Sequence, residues 1–486
     1  MSEPLPDPVP IPEMERRLTG ALDRIAVITD ELGSRFTAAG HQLALVGGPV
    51  RDALMGRDHN DLDFTTSARP EETERLLKGW AEGLWDMGRA FGTIGARKGD
   101  YQVEITTYRS ESYDPDSRKP DVEFGDTIEG DLGRRDFTVN AMAVSVPGRV
   151  FIDPYGGVVD LAHRVMRTPG RPEDSFSDDP LRMLRAARFA AQLGFTVDPA
   201  VVAAMTAMAD RISIISAERV RDELIKLVCA PYPRLGLTLL VETGLAERVL
   251  PELPALALER DEHHRHKDVY EHTLTVLEQS IELESRLAKD GQSGPDFVSR
   301  FAALMHDVGK PRTRRFLDDG TVTFHHHDVV GAKLTRRRMK ELRFSNDQID
   351  AVATLVELHL RFHGYGSGEW TDSAVRRYVR DAGDLLERLH ILTRADCTTR
   401  NQRKAERLRR TYDDLEARIA RLSEEEELAS IRPDLDGQQI MDILGIPPGR
   451  EVGAAYKFLL ERRLDDGPMS EDAARAALLE WWAARG

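Results

Sequence analysis

The chain of 486 residues carries a formal net charge of −16; 41% of its residues are hydrophobic, 31% are charged and two are cysteines. At roughly 100–200 residues per domain, this length predicts two to four domains. No run of about 18 apolar residues occurs, which excludes a transmembrane helix. Two distant cysteines exclude a disulfide scaffold and indicate a reducing cytosol. The acidic balance argues against indiscriminate binding to polyanions, although a local basic groove is compatible with it.

The N-terminal segment is rich in proline, which occupies every second position from Pro4 to Pro12. We therefore expect residues 1–12 to form an extended, poorly ordered tail. The segment lacks a basic n-region and an apolar h-region, so we expect no signal peptide and a cytoplasmic location.

Strands and helices alternate after this tail. Apolar residues recur at helical spacing over residues 18–32, and the pattern then changes near His41. The segments LALVGG, NDLDFTT, YQVEITTY and GRVFIDPYGG are typical of strands, and VRDALMG between the first two has helical spacing. Strands mixed with helices over about residues 30–165 predict one small α/β domain.

The strand signals stop after Pro169. Three amphipathic segments, DPLRMLRAARFAAQLGF, PAVVAAMTAMADRI and SAERVRDELIKLVCA, predict an all-α module. A third region begins near Asp261 and holds most of the histidines, and within it RLAKDGQSGPDF and HGYGSGEWTDS are typical of loops. The acidic run SEEEELASIRPDLDG indicates a solvated boundary before a last helical segment, which ends at Trp481 and Trp482.

Glycines and carboxylates cluster in the first strands. Gly47 and Gly48 stand between an apolar strand and a helix, where backbone amides attract phosphate, although a plain tight turn has the same composition. Asp61 and Asp63 are two positions apart on a strand and therefore project from one face, and Glu104 completes a carboxylate triad if its strand pairs suitably. Three converging carboxylates repel one another unless cations such as Mg²⁺ neutralise them. Exposed strand-end charges are the alternative interpretation.

Linked motifs in this region resemble class II tRNA nucleotidyltransferases, the group of bacterial CCA-adding enzymes and bacterial poly(A) polymerases. In chain order over about residues 40–250 they are GGPVRD, DLDF, RRDFTVNAM, DPYGG and DDPLRMLRAARFAAQLGF. The resemblance implies a DNA-polymerase-β-like head that transfers nucleotides with two metal ions. It implies that Asp61 and Asp63 hold two Mg²⁺ ions and that Glu104 assists deprotonation of the primer 3′-OH.

The same resemblance implies a nucleotide-binding set. The glycine loop and Arg51 would lie along the triphosphate, and Arg135 and Asp136 would lie near the ribose. The residues implied are Gly47, Gly48, Arg51, Arg135, Asp136, Asn140, Asp179, Arg182, Arg185 and Arg188.

Asp179 and Arg182 stand at the start of a predicted helix. On residue types alone, Asp179 caps the helix and forms a salt bridge to Arg182, while Arg182, Arg185 and Arg188 form a solvated basic stripe. The resemblance implies instead that Asp179 and Arg182 act as a template for the incoming base. An aspartate accepts a hydrogen bond from an exocyclic amine and an arginine donates to ring nitrogens, so C and A both satisfy the pair.

The histidines and aspartates of the third region form an ordered series. A lone histidine is usually a hydrogen-bonded structural residue, but the series H…HD…H…H…D resembles the HD phosphohydrolase domain. The resemblance implies a metal site formed by His272, His306, Asp307 and Asp396, with two further ligands of binuclear members at His327 and His359. Imidazole and carboxylate ligands suit a divalent transition metal better than Mg²⁺, without identifying it.

The choice among three consecutive histidines rests on the surrounding residues. His327 is preferred to His325 and His326 because FHHHDVVGA matches the phenylalanine-x-x-His-acidic-x-x-Gly-Ala pattern of the family.

These features predict an α/β head followed by all-α neck, HD and tail domains. The expected boundaries are a tail at 1–12, the head with its N-terminal helix at 13–168, the neck at 169–260, the HD domain at 261–422 and an α-helical tail at 423–486. The leading hypothesis is untemplated addition of C, C and A to tRNA 3′ ends from CTP and ATP. In addition, the HD domain would hydrolyse phosphomonoesters or 2′,3′-cyclic phosphates. The expected partners include neither DNA nor a membrane.

Two other functions fit parts of the sequence. A poly(A) polymerase shares the head motifs, but the HD domain and the lack of a strongly basic tail argue against it. The second alternative is an HD phosphohydrolase whose N-terminal half binds RNA. The retained triad of Asp61, Asp63 and Glu104 argues against that, because a binding module has no use for clustered carboxylates.

Overall fold

The computed structural model describes residues 8–58, 60–86, 88–112, 121–125, 127–257, 269–290, 294–319, 322–365, 370–397, 402–426 and 432–485. The chain divides into two compact units, Ser2–Pro251 and Glu252–Gly486. Among the described helices, none has the length and apolar character needed to cross a lipid bilayer.

The first unit combines a mixed sheet with helices. Its strands are β1 Leu43–Val46, β2 Asp61–Thr66, β3 Gly83–Trp85, β4 Thr93–Lys98, β5 Tyr101–Thr107, β6 Arg109–Ser112, β7 Asp121–Phe124, β8 Ala143–Val146, β9 Phe151–Ile152, β10 Val165–Met166 and β11 Thr196–Val197. Its helices are α1 Ile11–Arg24, α2 Ala26–Ala38, α3 Gly48–Leu54, α4 Pro70–Leu77, α5 Ile128–Gly133, α6 Gly157–His163, α7 Pro172–Asp178, α8 Leu181–Leu193, α9 Pro199–Met208, α10 Ala217–Val228, α11 Pro233–Glu242 and α12 Ala246–Val249.

Seven strands form the main sheet in the order β3-β4-β5-β2-β1-β8-β9. Strands β2 and β5 run parallel, and the other neighbouring pairs are antiparallel. Helices α2 and α3 pack on the central strands, and α4 packs on β4. A mixed sheet carrying helices confirms the predicted α/β head.

The second part of this unit is helical. Helix α8 lies at its centre and packs against α10 and α11. Its apolar residues, among them Met183, Leu184 and Ala187, are almost fully buried. The three amphipathic segments predicted from the sequence therefore bury their apolar faces against one another, as the expected all-α neck requires.

The second unit is also helical. Its helices are α13 Val269–Leu283, α14 Phe297–Met305, α15 Lys310–Thr313, α16 His327–Glu341, α17 Asn346–Leu358, α18 Asp372–Ala382, α19 Leu386–Asp396, α20 Gln402–Glu426, α21 Gly437–Leu444, α22 Arg450–Asp466 and α23 Glu471–Ala483. Two short strands, β12 Arg315–Phe316 and β13 Val322–Thr323, form an antiparallel pair between α15 and α16. Helices α21–α23 share a hydrophobic cluster that includes Ile440, Leu459 and Leu478.

Some local predictions were wrong. Helix α1 begins at Ile11, inside the predicted tail, because proline is tolerated in a first helical turn, where its missing N–H has no intrahelical partner; residues 1–7 lie outside the described residues. The helix predicted over residues 18–32 is broken at Ile25. The predicted loop at 286–297 begins as a 3-10 helix, Glu284–Asp290.

Candidate active sites

The three predicted head carboxylates lie on one face of two neighbouring strands. In the parallel pairing of β2 with β5, Asp63 lies opposite Glu104. Asp61, Asp63 and Glu104 are exposed, whereas the alternate residues Leu62 and Val103 are buried. Because adjacent strands are about 4.8 Å apart, the three carboxylates occupy neighbouring positions on one face of this pair.

The glycine loop lies beside these carboxylates. Strand β1 pairs with β2 so that Leu45 lies opposite Phe64, and Gly47 therefore follows at the Asp61–Asp63 end of β2. Gly47 has φ 77°, a left-handed conformation that favours glycine. A Cβ atom at this position would lie 2.9 Å from a guanidinium nitrogen of Arg135. Glycine thus lets Arg135 approach the loop.

Arg51, Asn140 and Asp136 belong to a buried hydrogen-bond network. Arg51 donates to both carboxylate oxygens of Asp52, at 2.8 and 2.7 Å, and to Oδ1 of Asn140 at 2.7 Å. Asn140 Nδ2 donates to Asp136 Oδ1 at 3.0 Å. Arg185 donates to Asp136 Oδ2 at 2.8 and 2.5 Å. The network thus joins α3 and the segment after α5 to α8.

Glu223 and Phe189, which the sequence interpretation did not single out, extend this network. Arg188 Nε lies 2.7 Å from Glu223 Oε2, and Glu223 is 5% exposed. The Arg188 guanidinium lies over the ring of Phe189, 3.9 Å from its centroid, and Arg51 and Arg185 also approach this ring. Glu223 follows the buried Val220 by three residues in α10 and therefore lies on the apolar face of this helix. This position was the signal in the sequence that Glu223 is buried.

Asp136 is ionised within this network. Burial raises the pKa of Asp136, but the Arg185 guanidinium and the amide of Asn140 outweigh burial and hold the pKa well below its ordinary value. A carboxyl whose folded pKa is depressed stabilises the fold above its unfolded pKa of about 3.9, and this contribution is lost as pH falls through the folded pKa.

We expect Asp136→Asn to lower the free energy of unfolding of the first unit by about 2–3 kcal/mol at pH 7, because Arg185 loses its buried partner. The difference in the free energy of unfolding between wild type and Asp136→Asn should stay constant down to about pH 5 and shrink below about pH 4. Urea unfolding at several pH values measures it. Asp222→Asn, which affects an exposed ion pair with Arg221, is the control and should change stability by less than about 0.5 kcal/mol. If both variants lowered the free energy of unfolding equally at pH 7, the buried network would not stabilise the fold as proposed.

Asp179 and Arg182 have separate partners. Asp179 Oδ1 accepts a hydrogen bond from the amide of Leu181 at 3.0 Å, and Oδ2 accepts one from Arg219 at 2.9 Å. Arg182 donates to Ser175 Oγ at 2.9 Å and to a backbone carbonyl at 2.5 Å. The alternative of a solvated basic stripe is therefore wrong, since Arg182 and Arg188 are 8% and 9% exposed. The sequence interpretation also missed Arg219.

The six predicted HD ligands come together at the ends of helices. They are buried or nearly buried, and five helices position them. His272 lies in α13, His306 and Asp307 directly follow α14, His327 begins α16, His359 directly follows α17, and Asp396 ends α19. Among the described residues, two groups of metal-capable side chains have ligand atoms within 4.8 Å of one another: His272, His306 and Asp396, and Asp307, His327 and His359.

Asp307 lies between the two groups. Its Oδ2 is 3.3 Å from Nε2 of His306 and 3.7 Å from Nε2 of His272, and its Oδ1 is 3.3 Å from Nε2 of His327. The prediction grouped Asp307 with the first set of ligands, whereas this carboxylate faces both sets. Lys310, which the sequence interpretation missed, places Nζ 2.6 Å from Asp307 Oδ2.

The three buried histidines direct Nε2 into this site. Nδ1 of each donates to a carbonyl three residues earlier, at 2.8 Å for His306 and His327 and 2.5 Å for His359. Their Nε2 atoms are buried and, among the described residues, make no hydrogen bond of good geometry. Fixing the tautomer in this way leaves the Nε2 lone pair for a metal ion. Buried Nε2 atoms that face the Asp307 carboxylate fit a divalent transition metal.

A glycine lets His327 reach the site. A Cβ atom on Gly309 would lie 2.0 Å from the carbonyl oxygen of His327, so only glycine admits the start of α16 here. By contrast, His325 and His326 are exposed.

Burial and charge set opposite protonation states in this cluster. Burial lowers the pKa of His359 to about 4, which keeps its imidazole neutral at pH 7. Burial also lowers the pKa of His306, but Asp307 and Asp396 outweigh burial and raise the pKa to about 10. Protons and metal ions therefore compete for Nε2 of His306.

Comparison with known proteins places the chain in a family. Residues 43–167 match the poly A polymerase head domain, residues 194–256 match a segment described as "Probable RNA and SrmB- binding site of polymerase A", and residues 269–401 match the HD domain. The A-adding tRNA nucleotidyltransferase of Deinococcus radiodurans is 34% identical over 447 residues, which are 90% of this chain and 95% of that protein. The chain belongs to the tRNA nucleotidyltransferase family.

Other tRNA nucleotidyltransferases match part of the chain or its fold. The CCA-adding enzyme of Bacillus subtilis is 42% identical over 224 residues, 46% of this chain and 54% of that protein, so this match spans about half of each. The Bacillus stearothermophilus CCA-adding enzyme in complex with CTP has a TM-score of 0.62 at 24% identity, covering 93% of this chain and 96% of that one. The Thermotoga maritima CCA-adding enzyme complexed with tRNA has a TM-score of 0.58 at 18% identity, covering 97% and 98%.

These findings confirm the resemblance inferred from the motifs. As a tRNA nucleotidyltransferase the protein is an enzyme, and its head and HD domains imply dependence on divalent metal ions.

Proposed function

We propose that the head adds nucleotides to tRNA 3′ ends, with Asp61, Asp63 and Glu104 as its catalytic residues. The observation that carries this proposal is the shared exposed face of these carboxylates beside the glycine loop. The hard oxygen ligands fit Mg²⁺, which when bound supplies Lewis acidity at the α-phosphate and neutralises the leaving pyrophosphate. Glu104 receives the proton of the primer 3′-OH, whose oxygen forms the new bond to the α-phosphorus as the bond to pyrophosphate breaks.

The nucleotide-binding residues of this proposal lie around the same face. Gly47, Gly48 and Arg135 border the triphosphate and ribose. The buried network of Arg51, Asn140 and Asp136 lies next to that loop, and Arg185 joins the network to α8 through Asp136. Arg188 lies on the same helix and pairs with Glu223 of α10. Arg51 contributes to the triphosphate site in one of two ways. It orients the loop through its present hydrogen bonds, or its guanidinium releases Asp52 and donates to the phosphate instead.

We propose that the enzyme adds the complete CCA sequence from CTP and ATP. Several relatives that match 43–46% of this chain at 41–44% identity are CCA-adding enzymes. Addition of A alone is the second candidate, because the D. radiodurans relative, which matches over 90% of this chain, is an A-adding enzyme. A poly(A) polymerase is a third possibility through the shared head.

Product sizing tests these candidates. The enzyme is incubated with tRNAs that end before CCA, after C or after CC, with each labelled NTP singly and with CTP and ATP together. CCA addition extends all three tRNAs and stops at the terminal A. Extension of the CC-ending tRNA alone indicates A addition, and long products from ATP indicate a poly(A) polymerase.

We also propose that Asp179 and Arg182 select the base. U and G present a carbonyl where C and A present an amine, so Asp179 would face an acceptor, at a cost of about 1–3 kcal/mol. Arg182→Ala is expected to lower the preference for CTP and ATP over UTP and GTP about 10-fold or more. Single-nucleotide incorporation of all four NTPs measures this ratio.

Ser175→Ala is the control for base selection. It removes a hydrogen-bond partner of Arg182 while keeping the guanidinium, and it should leave the nucleotide preference within about 2-fold. A purely structural Arg182 would instead leave the preference unchanged in both variants.

For the HD domain we propose hydrolysis of phosphomonoesters and 2′,3′-cyclic phosphates. The convergence of His272, His306, Asp307, Asp396, His327 and His359 supports it. A divalent transition metal held there would activate water and polarise the phosphate. Lys310 is placed to neutralise phosphate charge, since its amine lies against Asp307.

The domain boundaries and location complete the proposal. We place the head at 13–168, the neck at 169–260, the HD domain at 261–422 and the tail at 423–486, and we propose that the enzyme acts in the cytoplasm, where tRNA is its substrate. The matched family ranges fall within the head, neck and HD domains.

A further inference from the structure

An exposed basic and aromatic surface lies next to the HD site. It comprises residues 312–317, which we name the basic ribbon, and it is exposed along most of its length. Phe316 is 66% exposed and Leu317 is 48% exposed. The Arg314 guanidinium lies over the Phe316 ring, 4.6 Å from its centroid. An exposed ring with a cation held on its face presents an apolar surface beside a positive charge, to which a flat aromatic ligand can stack.

The arginines of the basic ribbon have no acidic partner in the described part of the chain. Within the described ranges, no carboxylate oxygen lies within 4.0 Å of the guanidinium groups of Arg312, Arg314 or Arg315. Other arginines of this unit do form ion pairs, for example Arg300 with Glu284 and Arg388 with Asp296. In a chain of net charge −16, three neighbouring arginines that pair with no described carboxylate form a local positive surface, next to the exposed Asp318 and Asp319, and such a surface favours a polyanion.

Two connections link the basic ribbon to the metal-ligating residues. Before it, Lys310 in α15 contacts Asp307. On the other side, Arg315 in β12 lies opposite Thr323 in β13. The next residue, Phe324, accepts a hydrogen bond from Nδ1 of His327. The ribbon is therefore connected to Asp307 and to His327 through short segments of the chain.

We infer that the basic ribbon binds the single-stranded 3′ end of RNA and delivers its terminal phosphate to the HD site. Phe316 stacks on a base, and Arg314 and Arg315 neutralise the backbone phosphates. Aromatic stacking combined with cationic side chains is the usual way to bind single-stranded nucleic acid without sequence preference. The inference rests on the HD activity proposed above and adds that its substrate is a polynucleotide end.

The test compares a small substrate with an RNA substrate in the full chain loaded with Mn²⁺ or Ni²⁺. The substrates are p-nitrophenyl phosphate and an RNA octamer ending in a 2′,3′-cyclic phosphate. For Phe316→Ala combined with Arg314→Gln and Arg315→Gln, kcat/KM on RNA should fall at least about 10-fold. Hydrolysis of p-nitrophenyl phosphate should stay within about 2-fold. The control is Arg336→Gln, in which a partly exposed arginine facing carboxylates of α17 is neutralised; it should change neither.

A photocrosslink gives a readout independent of turnover. An octamer carrying 4-thiouridine next to its 3′ end should crosslink to a peptide containing Phe316 in wild type and in Arg336→Gln, and not in the triple variant. An equal loss of both activities, or unchanged RNA hydrolysis with crosslinks elsewhere, overturns the inference. If wild type hydrolyses neither substrate, the proposed HD activity is wrong, and the position of the crosslink still decides for or against the basic ribbon.

Discussion

Asp61→Asn and Asp63→Asn are each expected to lower the rate of nucleotide addition at least about 10³-fold while tRNA affinity stays within about 3-fold. Each carboxylate would neutralise cation charge at the reacting phosphate, and asparagine keeps the size of the side chain without its charge. Leu62, the buried residue between them, keeps its packing on the opposite face of the strand, so the fold should persist. Single-turnover extension of a tRNA that lacks its 3′ end measures the rate, and filter binding measures affinity.

Asp58→Asn is the matched control. It makes the same chemical change three residues before Asp61, at a side chain that is 73% exposed and paired with Arg24. Its expected effect on the rate is less than about 2-fold, because an exposed ion pair contributes little. Near-normal rates in both the Asp61 and Asp63 variants would disprove the catalytic role of the triad.

The carboxylate face was predictable because strand periodicity is local. Alternation in β2 fixes which side chains share a face, and the exposed Asp61 and Asp63 follow from it. The sheet order was not predictable in the same way. Strands β3 and β4 lack clear alternation, and their pairing depends on contacts distant in the chain.

The arginines of α8 show where local patterns mislead. Their spacing of three residues is the same for a solvated stripe and for a set of buried ion pairs. Which one forms depends on Glu223 of α10 and Asp136, which are distant in the sequence. Only the family resemblance assigned these arginines a role other than a solvated stripe. It did not reveal that Glu223 pairs with Arg188 or that Arg219 pairs with Asp179.

The HD ligands have no periodic spacing at all. They come from five helices, and their convergence depends on how these helices pack, including the close approach at Gly309. The set was inferred from its resemblance to a family, and composition alone would have left each histidine as an ordinary buried residue. The position of Asp307 between both groups emerges only from the three-dimensional arrangement.

Asp307→Asn is expected to weaken metal binding and phosphohydrolysis in the HD domain strongly without stopping nucleotide addition. Its carboxylate faces His306 on one side and His327 on the other, so the substitution removes a negative ligand from both groups at once. We expect the bound metal per chain to fall at least about 10-fold and hydrolysis of 2′,3′-cyclic phosphates at least about 100-fold. Nucleotide addition should stay within about 2-fold, because its proposed residues belong to the other compact unit.

His325→Gln is the control for this separation, since His325 is an exposed histidine two residues from His327 and outside both ligand groups. Metal content by mass spectrometry, hydrolysis, nucleotide addition and circular dichroism are measured on both variants and on wild type. His325→Gln should retain metal and hydrolysis, whereas Asp307→Asn loses both with its circular dichroism unchanged. If Asp307→Asn also lost nucleotide addition while remaining folded, the two activities would share a site or depend on one another, and the assignment of separate metal sites to the head and the HD domain would be wrong.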